Sequence, residues 1–387
     1  MSLQRREDEL LLLCGRSQFA PEQLVQLQKL VQSNLDWKYF HALARRHSLL
    51  PLIFFQLNKL VAELVPSEAL AQFRRDYQEN AARNVLLADE LALVLKTLSD
   101  SGVDAINFKG PALAIAAYGD LSLRRFVDLD LIVRRNDVAP AIEVLSALGY
   151  APAGDLDPQY QSMLFEHQHN LQFTRGRIII ELHWQVASEL FASSVTAEDL
   201  WQQLESVRVS NAEVKTFSRD DLLFALCVHG SRHLWQRMAW ICDIDRVITI
   251  QPQLDWARLV ERADAAKTRR MFLLGPALAA RLLGTRLPAS IDDAISRDAH
   301  IAALVNEIQA GLFDEDREQG AGVAATFRYN MLVRSDWRSR FRYFRFALAL
   351  TEADFEAARL SSRFHFVYYL LRPLRLLRAA RSRGAVG

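Results

Sequence analysis

The chain has 387 residues, of which 50% are hydrophobic and 24% charged, with a formal net charge of +1; this excludes a wholly disordered or fibrous protein and leaves room for two or three packed domains. Three scattered cysteines, Cys14, Cys227 and Cys242, suit neither a disulfide framework nor a four-cysteine zinc site. The opening Met1 to Glu9 is too acidic and too briefly apolar for a secretory leader, and no stretch reaches membrane-spanning length, so cytoplasmic residence is the expectation.

The near-neutral total conceals an asymmetry. Residues 320–387 hold 13 arginines against Asp336, Glu352, Asp354 and Glu356, a balance of +9 that leaves −8 for the first 319 residues. The two ends of the chain are expected to face different partners.

In chain order, residues 1–100 read as a helical region. Leucine-rich periodicity runs through 9–14, 23–31, 37–50 and a long segment from Ser67 to Ser101, with Pro21 and Pro66 at expected helix starts. From Val103 the texture alternates: a strand Val103–Phe108, a short helix Pro111–Tyr118, a loop, a strand Val127–Val133 and a helix stopping at Gly149-Tyr150. Two more strands are expected at Leu171–Thr174 and Arg177–Val186, joined by a tight turn at Arg175-Gly176. Residues 101–217 are therefore expected to be an α/β core. Helices return after Ser218, at Asp220–Trp235, Met238–Ile250, Trp256–Ala266, Arg270–Leu283 and Asp292–Leu312, so that 218–318 form a substrate- or nucleotide-side helical domain. Residues 319–387 are expected to form a basic, aromatic-rich helical tail.

The chemistry concentrates at 107–133. Side chains alternate along a strand, so Asp128 and Asp130 project to one side while Val127, Leu129 and Leu131 pack on the other. Paired carboxylates invite a divalent cation such as Mg²⁺ or Mn²⁺. Phosphoryl transfer needs cations held by carboxylates and backbone donors for the phosphates. Gly110 permits close backbone approach, and the helix start after Pro111 is expected to present free N–H groups. Lys109 adds a point charge, Arg124 and Arg125 are placed to clamp outer phosphates, with Arg124 the functional one of the two and Arg125 a surface or structural charge, and Glu181, within Ile178 to Trp184, is placed to supply a third carboxylate. The bland reading of an isolated pair of alternating aspartates is a solvated strand face, and Lys109 alone reads equally as a surface lysine.

These residues resemble a family. Phe108-Lys109-Gly110, Tyr118-Gly119-Asp120, Arg124, Asp128 to Val133, Glu181-Leu182-His183-Trp184, and His229-Gly230-Ser231 with His233, Trp235, Trp240 and Asp243 are similar to a bacterial family of uncharacterised nucleotidyltransferases of the polymerase-β-like superfamily. The resemblance covers roughly 85–250. It implies an α+β fold: a small mixed sheet as nucleotidyltransferase core, here with an N-terminal helical cap and a large C-terminal helical domain. It also implies that Asp128 and Asp130 bind both metals and that Glu181 completes the catalytic set and helps activate an acceptor hydroxyl. Lys109, Gly110 and Arg124 would contact the NTP. The family's Gly-Ser phosphate turn stands here as Gly110-Pro111, and the third acid is Glu where Asp is commoner.

Other residues carry weaker signals. Glu181 and His183 share a strand face, which places His183 near the metals as a hydrogen-bonding neighbour or a direct ligand. His229 and His233 have the four-residue spacing of zinc enzymes without the accompanying glutamate; shaping the nucleotide-side interface, or the helical core, is the expected role. His167 and His169 carry no specific signal. In the tail, arginines from Arg328 to Arg345 interleave with Phe327, Tyr329, Trp337, Phe341, Tyr343, Phe344 and Phe346, a mixture that suits RNA, an anionic membrane surface or a protein groove, or a helix with its aromatics turned inward. The expected activity is transfer of NMP from an NTP to a hydroxyl of a small molecule, sugar or peptide. An RNA-end nucleotidyltransferase of toxin type and a non-catalytic NTP-binding module are the alternatives.

Overall fold

The structure is a computed structural model that describes residues 5–153, 170–185, 201–250, 253–314 and 322–348. The N-terminal helices are α1 (Arg6–Gly15), α2 (Pro21–Val31), α3 (Trp37–Arg46), α4 (Leu50–Leu60) and the long α5 (Ser67–Asp100). Local chemistry sets their ends. Pro21 occupies the first turn of α2, where its missing N–H costs nothing, and the Asp36 side chain caps α3 by accepting from the Tyr39 N–H. The single helix expected over 37–50 is instead two, because Ser48 adopts a left-handed backbone with φ of 60° that turns the chain between α3 and α4.

The α/β texture resolves into a five-stranded mixed sheet of order β1-β2-β5-β4-β3. Its strands are β1 (Ala105–Asn107), β2 (Leu129–Val133), β3 (Ala151–Pro152), β4 (Asn170–Arg175) and β5 (Ile178–His183). β2 runs antiparallel to β1 and parallel to β5, with Asp130 opposite Glu181 and Ile132 opposite His183. The β4–β5 turn falls at Gly176-Arg177, one residue later than expected, with Gly176 at φ +58°. The aspartate strand starts at Leu129, so Val127 is not packed on the apolar face and stands 47% exposed. A hairpin of β6 (Leu204–Val209) and β7 (Ala212–Phe217), beyond the strands expected for the α/β core, completes this part.

Between β1 and β2 lies α6 (Gly110–Leu113), which widens into a π-helical turn ending at Tyr118, where Gly119 takes a left-handed conformation. After β2 comes α7 (Val138–Ala147). The helices that follow the hairpin are α8 (Arg219–Arg232), α9 (Met238–Ile250), α10 (Trp256–Ala265), α11 (Arg269–Leu283), α12 (Ala289–Ser296), α13 (Ala299–Leu312), α14 (Val323–Val333) and α15 (Trp337–Leu348). The helix expected over 292–312 is split at Asp298, whose side chain caps α13 by accepting from the His300 N–H.

Two apolar clusters explain which sheet face carries chemistry. Leu129, Leu131, Val133, Ile180 and Leu182 pack beneath the second half of α5 and α7. On the other face Ile106, Phe108, Ile132 and Phe217 merge with a core shared by α1, α3, α4 and the helices after Ser218. Alternation puts Asp130, Glu181 and His183 on this second face, where the helices stand off from the sheet and leave a cleft.

Candidate active site

The cleft encloses about 400 Å³ and is floored by Lys109, Gly110, Asp128, Asp130, Glu181 and His183, with α8 and α9 forming the facing wall. Asp128, Asp130 and Glu181, the three acids expected to converge, all line the cleft, but among the described residues the group whose ligand atoms could meet on one metal ion is Asp130, Glu181 and His183, without Asp128. Ligand atoms of Asp130, Glu181 and His183 all lie within 4.8 Å of one another, close to the span of opposite ligands around one divalent ion, about 4–4.6 Å. His183 Nε2 sits 3.2 Å from Asp130 Oδ1 and 3.2 Å from Glu181 Oε2, and its ring meets Phe108 edge-on.

Charge in this floor is uneven. Burial works against ionisation of Asp130, but the Lys109 ammonium at 2.9 Å and His183 outweigh it and hold the carboxyl well below the usual carboxylate range. Glu181 is lowered by its hydrogen bond with His183 and also accepts from Asn170 at 3.2 Å. Asp128 moves the other way: burial, then the neighbouring charges of Asp130 and Glu181, push it up to about 6. A divalent cation would relieve the repulsion that Asp130 and Glu181 exert on Asp128. The oxygen and nitrogen donors of Asp130, Glu181 and His183 could hold a metal ion.

The turn beside the acids is built by Asn107. Its Oδ1 accepts from the Ala112 N–H at 3.0 Å while its Nδ2 donates to the Asp130 carbonyl at 2.8 Å, tying the start of α6 to β2. The helix start is thus not wholly free, since one of its N–H groups is already taken. Gly110 has φ of +51°, and a Cβ there would stand 3.3 Å from the Asp128 carbonyl oxygen. Only glycine meets both demands without strain.

The two adjacent arginines part company. Arg124 lines the cleft, yet its guanidinium is engaged inside the protein: Nε and Nη2 donate to Asp243 at 2.9 and 3.0 Å, and Tyr118 donates to the same carboxylate at 2.7 Å. Burial opposes the charge on Arg124, and Asp243 overrides it, raising the guanidinium above its ordinary value. Arg125 lines the cleft as well. The loop is presented by α5, where the buried Asn80 and Asn84 donate to the carbonyls of Leu121, Ser122 and Arg124, and Tyr77 bonds Ser122 at 2.7 Å. Sequence reasoning missed this clamp. Its signal was present: two asparagines four apart in a helix, where they are poor helix formers without a bonding task.

On the facing wall His229, His233 and Trp240 pack together in tilted and edge-on contacts, with the histidine ring centroids 4.6 Å apart. Burial first, then Lys109 and His233, keeps His229 well below its ordinary pKa. Among the described residues the pair joins no cluster of three metal-ligating groups. Gly230 is explained by packing, because a Cβ there would overlap the Trp235 ring. Asp245 accepts from the Ser17 N–H at 2.9 Å on the opposite side of α9 and takes no part in the cleft.

The sequence model of a family described as uncharacterised nucleotidyltransferase matches residues 33–284. The chain belongs to that family. The match extends beyond the stretch that carried the motifs and includes α3, α4 and α5, so the helices that hold the arginine loop are part of this nucleotidyltransferase unit. A solved structure of an antigenic nucleotidyltransferase-like protein from Paracoccidioides brasiliensis is similar at 15% identity, covering 53% of this chain and 94% of that one with a TM-score of 0.32. No curated protein matches.

No helix among the described residues is long and apolar enough to cross a membrane. His167, His169 and the chain from 349 onward, with Arg372, Arg375, Arg378, Arg381 and Arg383, lie outside the described residues. In the described tail, Arg334 is fully buried against Tyr343, whereas Trp337, Phe341 and Phe344 of α15 stay exposed. The inward-facing arrangement of aromatics holds for Tyr329 and Tyr343 only in part of the tail.

Proposed function

We propose that this nucleotidyltransferase is divalent-metal dependent and moves NMP from an NTP to a hydroxyl of a small molecule, sugar or peptide. The register of β2 and β5 carries the reading, because pairing Asp130 with Glu181 across parallel strands brings two carboxylates to one floor beside Asp128. Asp128, Asp130 and Glu181 would hold Mg²⁺ or Mn²⁺, which when bound neutralises phosphate charge and stabilises the entering and leaving oxygens. The Gly110 turn lets the triphosphate approach the backbone closely, and Lys109 and the Asp243-anchored Arg124 line the same floor with positive charge. The acceptor oxygen attacks the α-phosphorus in line. The new P–O bond forms as the bond to pyrophosphate breaks, and the hydroxyl proton passes to Glu181, whose side chain is 29% exposed.

The test is incubation with each α-labelled NTP, Mg²⁺ or Mn²⁺ and a cell extract split into RNA, protein and small-molecule fractions. Label is expected in the small-molecule or protein pool. Label in RNA alone would replace this reading with RNA-end transfer, and NTP binding without transfer in any pool would make the protein a binding module.

A further inference from the structure

Beyond Arg125 the cleft continues. A second depression of about 330 Å³ is lined by Arg45 from α3, Leu50 and Pro51 from α4, and Asp76, Glu79 and Arg83 from α5, and Arg125 borders both spaces. Arg83 and Arg125 both line it. Burial and then the Arg125 charge weigh against the Arg83 guanidinium. Among the described residues neither arginine has a carboxylate within ion-pairing distance, and the buried Nε of Arg83 has no hydrogen-bond partner; the one bond Arg83 makes is to Asn80 at 2.8 Å. Two guanidiniums that line one depression, neither ion-paired among the described residues, repel one another unless an anion joins them, and the planar fork of arginine suits a carboxylate or phosphate group.

We infer that Arg83 and Arg125 form an anion subsite at the end of the catalytic cleft, which receives a carboxylate or phosphate group carried by the acceptor. This rests on the nucleotidyl-transfer reading for the word acceptor, and on the geometry alone for the anion. The composition of the depression separates acceptor from nucleotide. Asp76 and Glu79 share it with the arginines, so a polyanionic triphosphate meets repulsion, whereas a molecule with one anionic group beside hydroxyls or amines meets complementary partners. Asp76 already bonds His41 at 2.7 Å, which holds its carboxylate in place. The same subsite explains the α5 clamp: Asn80 bonds both Arg83 and the carbonyls of the loop that ends in Arg125, so one residue sets the spacing of the two guanidiniums.

The experiment is calorimetric titration of the full-length protein with inorganic phosphate and, separately, with succinate, both without nucleotide and with Mg²⁺ and an α,β-methylene NTP analogue. One or both anions are expected to bind in the millimolar range, with nucleotide in place as well as without it. Whichever binds tells a phosphate-bearing acceptor from a carboxylate-bearing one. R83Q and R125Q should each weaken that binding roughly tenfold, as expected for loss of one charge-assisted partner. Nucleotide affinity should stay at the wild-type level, and R125K should recover part of the loss. Matching far-UV circular dichroism keeps the comparison among folded proteins. Absence of anion binding, unchanged binding in both variants, or competition between anion and nucleotide would overturn the subsite. A protein that neither binds nor transfers NTP, but still loses anion binding in R83Q and R125Q, would leave the subsite standing and remove only the enzymatic reading.

Discussion

Asp243→Asn is the most informative single change, because the structure concentrates three interactions on one carboxylate that is wholly buried. Arg124 Nε and Nη2 and the Tyr118 hydroxyl all donate to it, at 2.9, 3.0 and 2.7 Å, and the Arg124 side chain is only 10% exposed. Asparagine retains one acceptor oxygen but removes the charge, which leaves a buried guanidinium without its counter-ion. Breaking a buried pair from one side costs about 3–5 kcal/mol. With an unfolding entropy near 2.1 cal/mol/K per residue, a loss of about 3 kcal/mol lowers the melting temperature of a chain this size by roughly 4 °C. The measurement is urea unfolding followed by tryptophan fluorescence for Asp243→Asn, Arg124→Gln and the double variant. Because either single change strands the partner, the double variant should be less destabilised than the sum of the singles by about 2 kcal/mol. Additivity to within about 0.5 kcal/mol would refute the claim that these side chains form one coupled unit.

Other expectations follow from the same geometry. Asp130→Asn removes the acid that neighbours Lys109 and His183, so Mn²⁺ binding by calorimetry and nucleotidyl transfer should each fall by about a hundredfold or more while the fold is kept. Gly110→Ala places a methyl at φ +51° and 3.3 Å from the Asp128 carbonyl, which should cost about 1–2 kcal/mol of stability and impair transfer more than thermal denaturation alone would suggest. His47 is buried, with Nε2 at 3.0 Å from the Leu312 carbonyl and Nδ1 accepting from the Met238 N–H, and burial pushes its pKa down to about 3. Its folded pKa lies below the unfolded value near 6.5, so its contribution is complete above pH 6.5 and is lost as pH falls toward 3. At pH 5 the loss is about 2 kcal/mol, and His47→Gln should flatten the acid side of a stability-versus-pH curve. Removal of divalent cations with EDTA should abolish transfer, and added Mn²⁺ should restore it.

Much of the site was legible before folding because it depends on short-range rules. Alternation along a strand places Asp130 and Glu181 on faces that local sequence already specifies, and Phe108-Lys109-Gly110-Pro111 marks a turn into a helix whatever surrounds it. The hairpin from Leu204 to Phe217 was legible too, in its alternating Val207, Val209, Val214 and Thr216. Helix ends were less so. Ser48 in a left-handed conformation and the Asp298 cap divide segments whose apolar periodicity runs on without a break.

What the sequence by itself determined is the chemical alphabet of the cleft: which acids share a face, where glycine is obligatory, and that the chain is a mixed helix-and-sheet nucleotidyltransferase. Only the tertiary structure decided the fate of the charges, since an arginine's role depends on which carboxylate lies within reach. Arg124 and Arg125 are neighbours in the chain with identical side chains; Asp243, 119 residues from Arg124 along the chain, anchors the first, and the second lines a depression together with Arg83 of α5. Coulomb energy falls with distance in space and is blind to separation along the chain, so that division of labour exists only once the helices have packed.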